Sequence, residues 1–249
     1  MTTLQQLRTK IFADGADLKT IRALYENPLV KGFTTNPSLM RKANVQDFKG
    51  FAREVLTAVP DRPVSLEVFS DDFDEMEEQA REIASWGKNV YVKIPVTDTK
   101  GTFSGPLIER LSDAGVKVNV TAILTAEQVQ AVAGHLSSKV ESFVSVFAGR
   151  IADTGRDPVP IMDTAVRTLK PLPKAELIWA SPRELLNIFQ ADSVGCHVMT
   201  ATADVLAKLA LVGKDLEQYS LETVRMFHRD ALEAGYTIEF SGSVTGRRS

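Results

Sequence analysis

Val90-Tyr91-Val92-Lys93-Ile94 reads as a buried strand that nevertheless carries an amine near its end. Successive side chains in a strand point to opposite faces. Val90, Val92 and Ile94 therefore share one face, and Tyr91 and Lys93 share the other. In a parallel barrel the outer face of each strand meets helices and the inner face meets the other strands. The aliphatic face suits the helices, so Lys93 is expected to point inward. The same parity recurs along the chain. Glu67 lies opposite Leu66 and Val68, and Asn119 and Thr121 lie opposite Val118 and Val120. Ser145 lies opposite Val144 and Val146 with Phe147 on its own side, and Asp14 lies opposite Ala13. Each of these polar residues falls at or near the C-terminal end of its strand, where barrel enzymes carry their chemistry.

Outward from that stretch, short β-rich runs alternate with amphipathic ones. The expected strands are 12–14, 30–34, 64–69, 90–94, 117–121, 142–147, 175–180 and 193–199. Residues 71–85 read as a helix with an acidic first turn and Phe73, Met76, Ala80 and Ile83 on one face. Thr125 reads as an N-cap with Gln128 three residues later. Eight such alternations predict an α/β protein, a single (β/α)₈ TIM barrel, rather than an open doubly wound sheet. The absence of G-x-G-x-x-G after the first strand agrees with that choice. One catalytic domain is expected over 1–240, with a loose tail over 241–249. Residues 1–10 suggest a short extra helix. A final helix around 221–234 exceeds the eight repeats and is left to pack across the barrel or against another subunit, so a homo-oligomer stays open.

Bulk properties narrow the partners. The formal net charge of −3 gives no reason to expect nucleic acid or an anionic membrane, so any phosphate must be met by locally placed Arg or Lys. Cys196, the single cysteine, excludes an intrachain disulfide. No apolar run approaches the ~20 residues of a membrane span, and residues 1–10 lack the apolar core of a secretory signal. The expectation is a cytoplasmic, soluble protein. His135, His197 and His228 are dispersed and fit no metal-ligand spacing, so no metal is expected. Cys196 is expected as a small buried residue on the eighth strand. The Gly101-Thr-Phe-Ser-Gly105 segment suits either an anion at a helix start or an ordinary loop.

Taken singly, a strand lysine is more often an edge residue with its amine in water, and an acid at a strand end more often a cap. Convergence of an amine, two carboxylates and two hydroxyls on one mouth favours chemistry instead. A buried lysine there suits attack on a carbonyl to form a Schiff base. Nearby carboxylates hold the proton on an amine, so Glu67 and Asp14 are expected one water away from Lys93 rather than in direct contact.

The residues resemble the transaldolase family, including its small fructose-6-phosphate aldolase-like members. The resemblance rests on Thr34-Thr35-Asn36-Pro37-Ser38, Val92-Lys93-Ile94-Pro95-Val96-Thr97 and Gly149-Arg150-Ile151. Asp14 in Ala-Asp-Gly-Ala-Asp, Glu67 in Leu-Glu-Val, Thr121 in Val-Thr-Ala and Ser181 in Ala-Ser-Pro-Arg add to it. By resemblance, Lys93 is the Schiff-base lysine and no cofactor is needed. Asp14 takes and returns the hydroxyl proton during C–C cleavage, and Glu67 and Thr121 hold a catalytic water. Thr34 and Asn36 lie near the bound sugar, Ser145 and Phe147 line the pocket, and Arg150, Ser181 and Arg183 bind phosphate. The implied activity is transfer of a dihydroxyacetone unit from a ketose phosphate to an aldose phosphate. The alternatives are an aldolase-type lyase releasing free dihydroxyacetone and a non-catalytic barrel that binds sugar phosphates. The small aldolases carry Gln where this chain has Glu67, which favours transfer. The segment Trp179-Ala-Ser-Pro-Arg departs from the commoner Ala-Ser-Phe-type sequence, and the departure bears on the pocket near Arg183.

Overall fold

Each apolar run with inward polar residues finds the next run as a parallel neighbour. The computed structural model describes residues 4–238. Its strands are β1 (Lys10–Asp14), β2 (Val30–Thr34), β3 (Val64–Glu67), β4 (Val90–Pro95), β5 (Val118–Ile123), β6 (Ser142–Val146), β7 (Ala175–Trp179) and β8 (Val198–Thr202). They pair in sequence order and β8 returns to β1, so the sheet is a closed barrel. With helices between the strands this is the expected (β/α)₈ fold. Two compact units divide the chain, Thr2–Ala210 with the barrel and a second that begins at Leu211. The second holds the extra C-terminal helix, Leu216–Glu233, which starts earlier than the sequence suggested because Asp215 caps it by accepting from Gln218 N–H. None of that helix's residues is buried. The tail expected over 241–249 lies outside the described residues.

Local chemistry sets the helix starts. Asp72 accepts from the Asp74 and Glu75 amides and starts the helix Phe73–Ala84, which buries Met76, Ala80 and Ile83. Thr125 and Gln128 form the reciprocal capping box. Two expectations change. Near the N-terminus the described residues hold only a 3₁₀ turn, Leu4–Gln6, in place of a helix. β8 begins at Val198, five residues later than read, because the helix Leu186–Ser193 runs to the start of the supposed strand. Gly195, at φ 74°, then turns the chain. Cys196 consequently sits in the turn before β8, although it is buried as expected, and burial pushes its thiol up to about 12. Ser104 donates to the Pro95 carbonyl at 2.6 Å and makes no side-chain cap bond, which fits the ordinary loop of the two readings left open for 101–105. Among the described residues no helix is long and apolar enough to cross a membrane, and no group of three or more His, Cys, Asp or Glu could hold a metal ion.

The barrel interior is filled in layers, as closure demands. At the N-terminal mouth Lys10 pairs with Glu176 at 2.6 Å and Lys117 with Glu141 at 2.7 Å. Above them Phe12, Tyr91, Phe143, Ile178 and Val198 form a separate apolar cluster. Phe12 meets Phe143 edge to face at 5.5 Å between centroids. The polar residues of the C-terminal mouth rest on this layer. Gly32 of β2 makes room for it, because a Cβ there would lie 2.6 Å from the Phe12 ring. Overpacking of this kind costs ~1–3 kcal/mol. Gly32→Ala should therefore lower the unfolding free energy by an amount in that range, read as a lower urea midpoint. An unchanged midpoint would mean that the aromatic layer has slack.

Candidate active site

Register decides which inward groups touch. β3 and β4 pair Glu67 directly with Lys93, and β4 and β5 pair Lys93 with Asn119. Neighbouring strands lie ~4.8 Å apart, so the Lys93 amine has a carboxylate within reach on the adjacent strand. Lys93 is 5% exposed. Its Nζ lies 2.8 Å from Glu67 Oε2 and donates to the Thr35 carbonyl at 2.8 Å. The expectation of a water between Glu67 and the amine therefore fails for the resting protein. A buried ammonium with no counter-charge is costly, and the register places that counter-charge in contact. Glu67 Oε2 takes part in no hydrogen bond with protein, so the approach is ionic rather than a directed hydrogen bond.

Asp14 lies on β1, opposite Thr34 in the β1–β2 register. Thr34 Oγ1 donates to Asp14 Oδ1 at 2.8 Å. Burial raises the Asp14 carboxyl above the usual carboxylate range; Lys93 and the Thr34 hydroxyl pull it part of the way back, and Glu67 raises it. Asn36 caps the helix Pro37–Lys42 by accepting from Leu39 N–H at 3.0 Å. The cap engages its side-chain oxygen and leaves its amide donors for the cavity.

These groups surround one cavity of about 460 Å³. Of the sequence-predicted residues, Asp14, Thr34, Asn36, Glu67, Lys93, Thr121, Ser145, Phe147, Arg150 and Ser181 line it. Arg183 is outside that lining. Its guanidinium forms a fork with Asp153, with Nε donating at 2.8 Å and Nη2 also in contact, while Nη1 donates to Ser181 Oγ at 3.1 Å. The pairing holds the Asp153 carboxyl below the usual carboxylate range. Arg150 lies with its guanidinium carbon 5.1 Å from the Phe147 ring centroid, in cation–π range.

Sequence reasoning named Ser145 as a pocket residue and Asn119 as inward-facing, but missed the chain that joins them and several other members. Ser65, Asn119 and Ser145 form a buried chain, with Asn119 Nδ2 donating to Ser65 Oγ at 3.0 Å and Ser145 Oγ donating to Asn119 Oδ1 at 2.7 Å. The parity of Ser65 with Glu67, and of Asn119 with Thr121, was the available signal. Thr200 also lines the cavity, and the misplaced bounds of β8 had hidden it. Ala122 follows Thr121 and lines the cavity as well, which strict alternation forbids. Its φ of 63° and a register shift between Val120 and Ile123 mark an irregularity of bulge type that turns two successive residues inward.

The comparisons with known proteins give the chain a family. A profile of the family described as Transaldolase/Fructose-6-phosphate aldolase matches residues 11–238. The chain belongs to this family. A protein of Dehalococcoides mccartyi named "Probable transaldolase" is 35% identical over 201 residues, covering 80% of this chain and 89% of its own. "Probable transaldolase 2" of Listeria monocytogenes is 35% identical over 202 residues, covering 80% and 88%. Among solved structures, 2,3-dimethylmalate lyase superposes with a TM-score of 0.55 at 10% identity, over 97% of this chain and 89% of that one, and shares the fold alone. The transaldolase-type enzyme expected from the sequence is thus in keeping with the family to which the chain belongs.

In this family member one glycine fixes the arginine side of the mouth. Gly149 N–H donates to the Ala180 carbonyl at 3.4 Å, and a Cβ on Gly149 would lie 1.5 Å from the Ser181 carbonyl oxygen. Ser181 itself holds φ at 58°, a strained value for a residue with a Cβ. Gly149→Ala should displace Ser181 and cost at least ~1–3 kcal/mol, read by urea unfolding and by a crystal structure of the variant. An unmoved Ser181 with an unchanged midpoint would refute the close-approach argument.

Proposed function

We propose that the protein is a transaldolase that carries a dihydroxyacetone unit from a ketose phosphate to an aldose phosphate on Lys93. The observation that carries this reading is a buried amine flanked by two carboxylates in the mouth cavity of a barrel of this family. The sequence resemblance and the relatives named as transaldolases support it.

The chemistry follows from the contacts. Before Lys93 can attack, its ammonium must give up a proton, and Glu67 Oε2 at 2.8 Å is placed to take it. The amine then adds to the C2 ketone of the donor, and loss of water gives the protonated imine. Thr121 Oγ1 has no protein hydrogen-bond partner and lines the cavity with Glu67, so the pair can hold the water that leaves and later returns. Asp14 accepts the C4 hydroxyl proton, the C3–C4 bond breaks, and its electron pair passes into the imine. An aldose phosphate departs and the enamine of dihydroxyacetone stays on Lys93. Addition of the enamine carbon to the aldehyde of a second aldose phosphate makes a new C–C bond, and Asp14 returns its proton to the new hydroxyl. Hydrolysis of the imine frees Lys93. Glu67, a carboxylate where the small aldolases carry Gln, supports transfer over release of free dihydroxyacetone.

Borohydride reduction in the presence of fructose 6-phosphate tests the reading. A dihydroxyacetone-sized mass increase on Lys93, found by peptide mapping and absent from Lys93→Met, is the expected result. An adduct on another lysine, or none with any ketose phosphate, would remove the Schiff-base assignment.

The phosphate subsite has its own test. Arg150 lines the cavity, whereas Arg183 is engaged by Asp153 and reaches the cavity through Ser181. A hydrogen bond to a charged group contributes roughly 1.5–3 kcal/mol. Arg150→Ala should therefore raise KM for fructose 6-phosphate by ~10–150-fold, and Arg183→Ala should raise it less. Neither should change use of unphosphorylated dihydroxyacetone as donor with an unphosphorylated acceptor. Equal weakening on all substrates would show that these arginines do not form a phosphate subsite.

A further inference from the structure

Thr200 occupies an unusual place around Asp14. It lies on β8, in register with Phe12 of β1, and is 4% exposed. Asp14 is two residues beyond Phe12 on the same inward face. Thr200 Oγ1 lies 2.5 Å from Thr34 Oγ1 of β2, and Thr34 Oγ1 in turn lies 2.8 Å from Asp14 Oδ1. Two strands that flank β1 on opposite sides are thus joined inside the barrel by a hydroxyl–hydroxyl bond, and β1 carries the carboxylate that this bond serves.

A threonine hydroxyl has one proton to donate. When Asp14 is ionised it can only accept, so the Thr34 proton is committed to it. The proton in the bond between the two threonines must then come from Thr200. The direction of the whole chain, Thr200 to Thr34 to Asp14, is fixed by this count. A hydroxyl that accepts a hydrogen bond becomes a better donor, and the gain is largest where the final acceptor is charged.

We propose that Thr200 is a positioning residue for Asp14: by donating to Thr34 Oγ1 it keeps the Thr34 hydroxyl donating to the Asp14 carboxylate during turnover. It touches no reacting atom and acts through Thr34. The charged groups that face Asp14 are Lys93 from β4 and Glu67 from β3, and both are untouched by a change at Thr200. Its partners Thr34 on β2 and Phe12 on β1 do not titrate in the relevant range. The role of Asp14 in turnover rests on the transaldolase reading above; the hydrogen-bond chain does not.

Three enzymes are compared: the unaltered protein, Thr200→Val, which keeps the shape and removes the hydroxyl, and Thr200→Ser, which restores it. With the donor removed, the ionised form of Asp14 loses support. The acid limb of kcat/KM should move up by about half a pH unit, giving ~3-fold lower activity below the limb. Thr200→Ser should return the limb to its original position. A carbon-13 NMR titration of the Asp14 carboxyl, assigned with Asp14→Asn, should show the same displacement without any turnover. Borohydride trapping of dihydroxyacetone on Lys93 is run alongside. A lack of trapping in the unaltered protein overturns the transaldolase reading but leaves the NMR test of Thr200 standing. Retained trapping with an unmoved NMR titration in Thr200→Val overturns the proposal, as does an equal shift in Val and Ser. If Thr200→Val does not fold, Thr200→Ala is judged by the same titration.

Discussion

One amine buried on the inner face of a closed barrel sets the terms for everything around it. Lys93 can exist there as an ammonium only with a counter-charge in contact and its N–H donors engaged. Glu67 supplies the first from the neighbouring strand and the Thr35 carbonyl the second. That solution leaves a second carboxylate, Asp14, in the same cavity as an amine already engaged by Glu67. Burial and Glu67 raise its carboxyl, while Lys93 and Thr34 oppose them without cancelling the effect. Two carboxylates in one cavity thus receive different environments. One sits against the amine, and the other is left with a heightened affinity for a proton. A site with both can move protons at two places, which Schiff-base formation and C–C cleavage each require.

The layers below keep this arrangement closed on one side. The aromatic cluster of Phe12, Tyr91, Phe143, Ile178 and Val198 lies between the polar mouth and the ion pairs at the other end. Phe12 and Asp14 share a face of β1, and Tyr91 and Lys93 share a face of β4. Each of these strands therefore contributes both a piece of floor and a reactive group. A change in the packing of the floor is felt two residues later along the same strand, which is why the absence of a side chain at Gly32 matters to the site as well as to stability.

Much of this was legible in the sequence because alternation in a buried parallel strand converts residue order into facing. The parity of Tyr91 and Lys93 against three aliphatic residues, repeated at Glu67, Thr121 and Ser145, was enough to predict a barrel and a common mouth. What the sequence could not supply was lateral: which residue on the next strand stands beside which. Glu67 was read as water-separated from Lys93 because direct pairing holds the proton on the amine, and the β3–β4 register that sets the two side by side was not legible. Thr200 escaped notice for a simpler reason. Ser193-Val-Gly-Cys looked like the start of a strand that ended at Met199, yet the helix before it runs through Ser193 and β8 spans Val198–Thr202, so Thr200 fell just past the expected strand. Ala122 was invisible for a third reason, since a positive φ at an alanine breaks the alternation that converts residue order into facing.

Charged residues announced themselves because a charge in a buried strand demands an explanation. Hydroxyls and amides do not, since each is unremarkable in a strand. Yet Ser65, Asn119 and Ser145 form one chain of hydrogen bonds and Thr200, Thr34 and Asp14 another. In the first, neutral groups satisfy one another, and in the second they end on the Asp14 carboxyl, as a buried polar interior requires. The distribution of labour follows from cost. A barrel can bury few ions, so the reacting groups are charged and scarce, whereas their orientation is left to neutral donors that are cheap to bury once paired. The identity of the chemistry is therefore written in the few residues that look out of place, and its tuning in residues that become conspicuous only when the register is known.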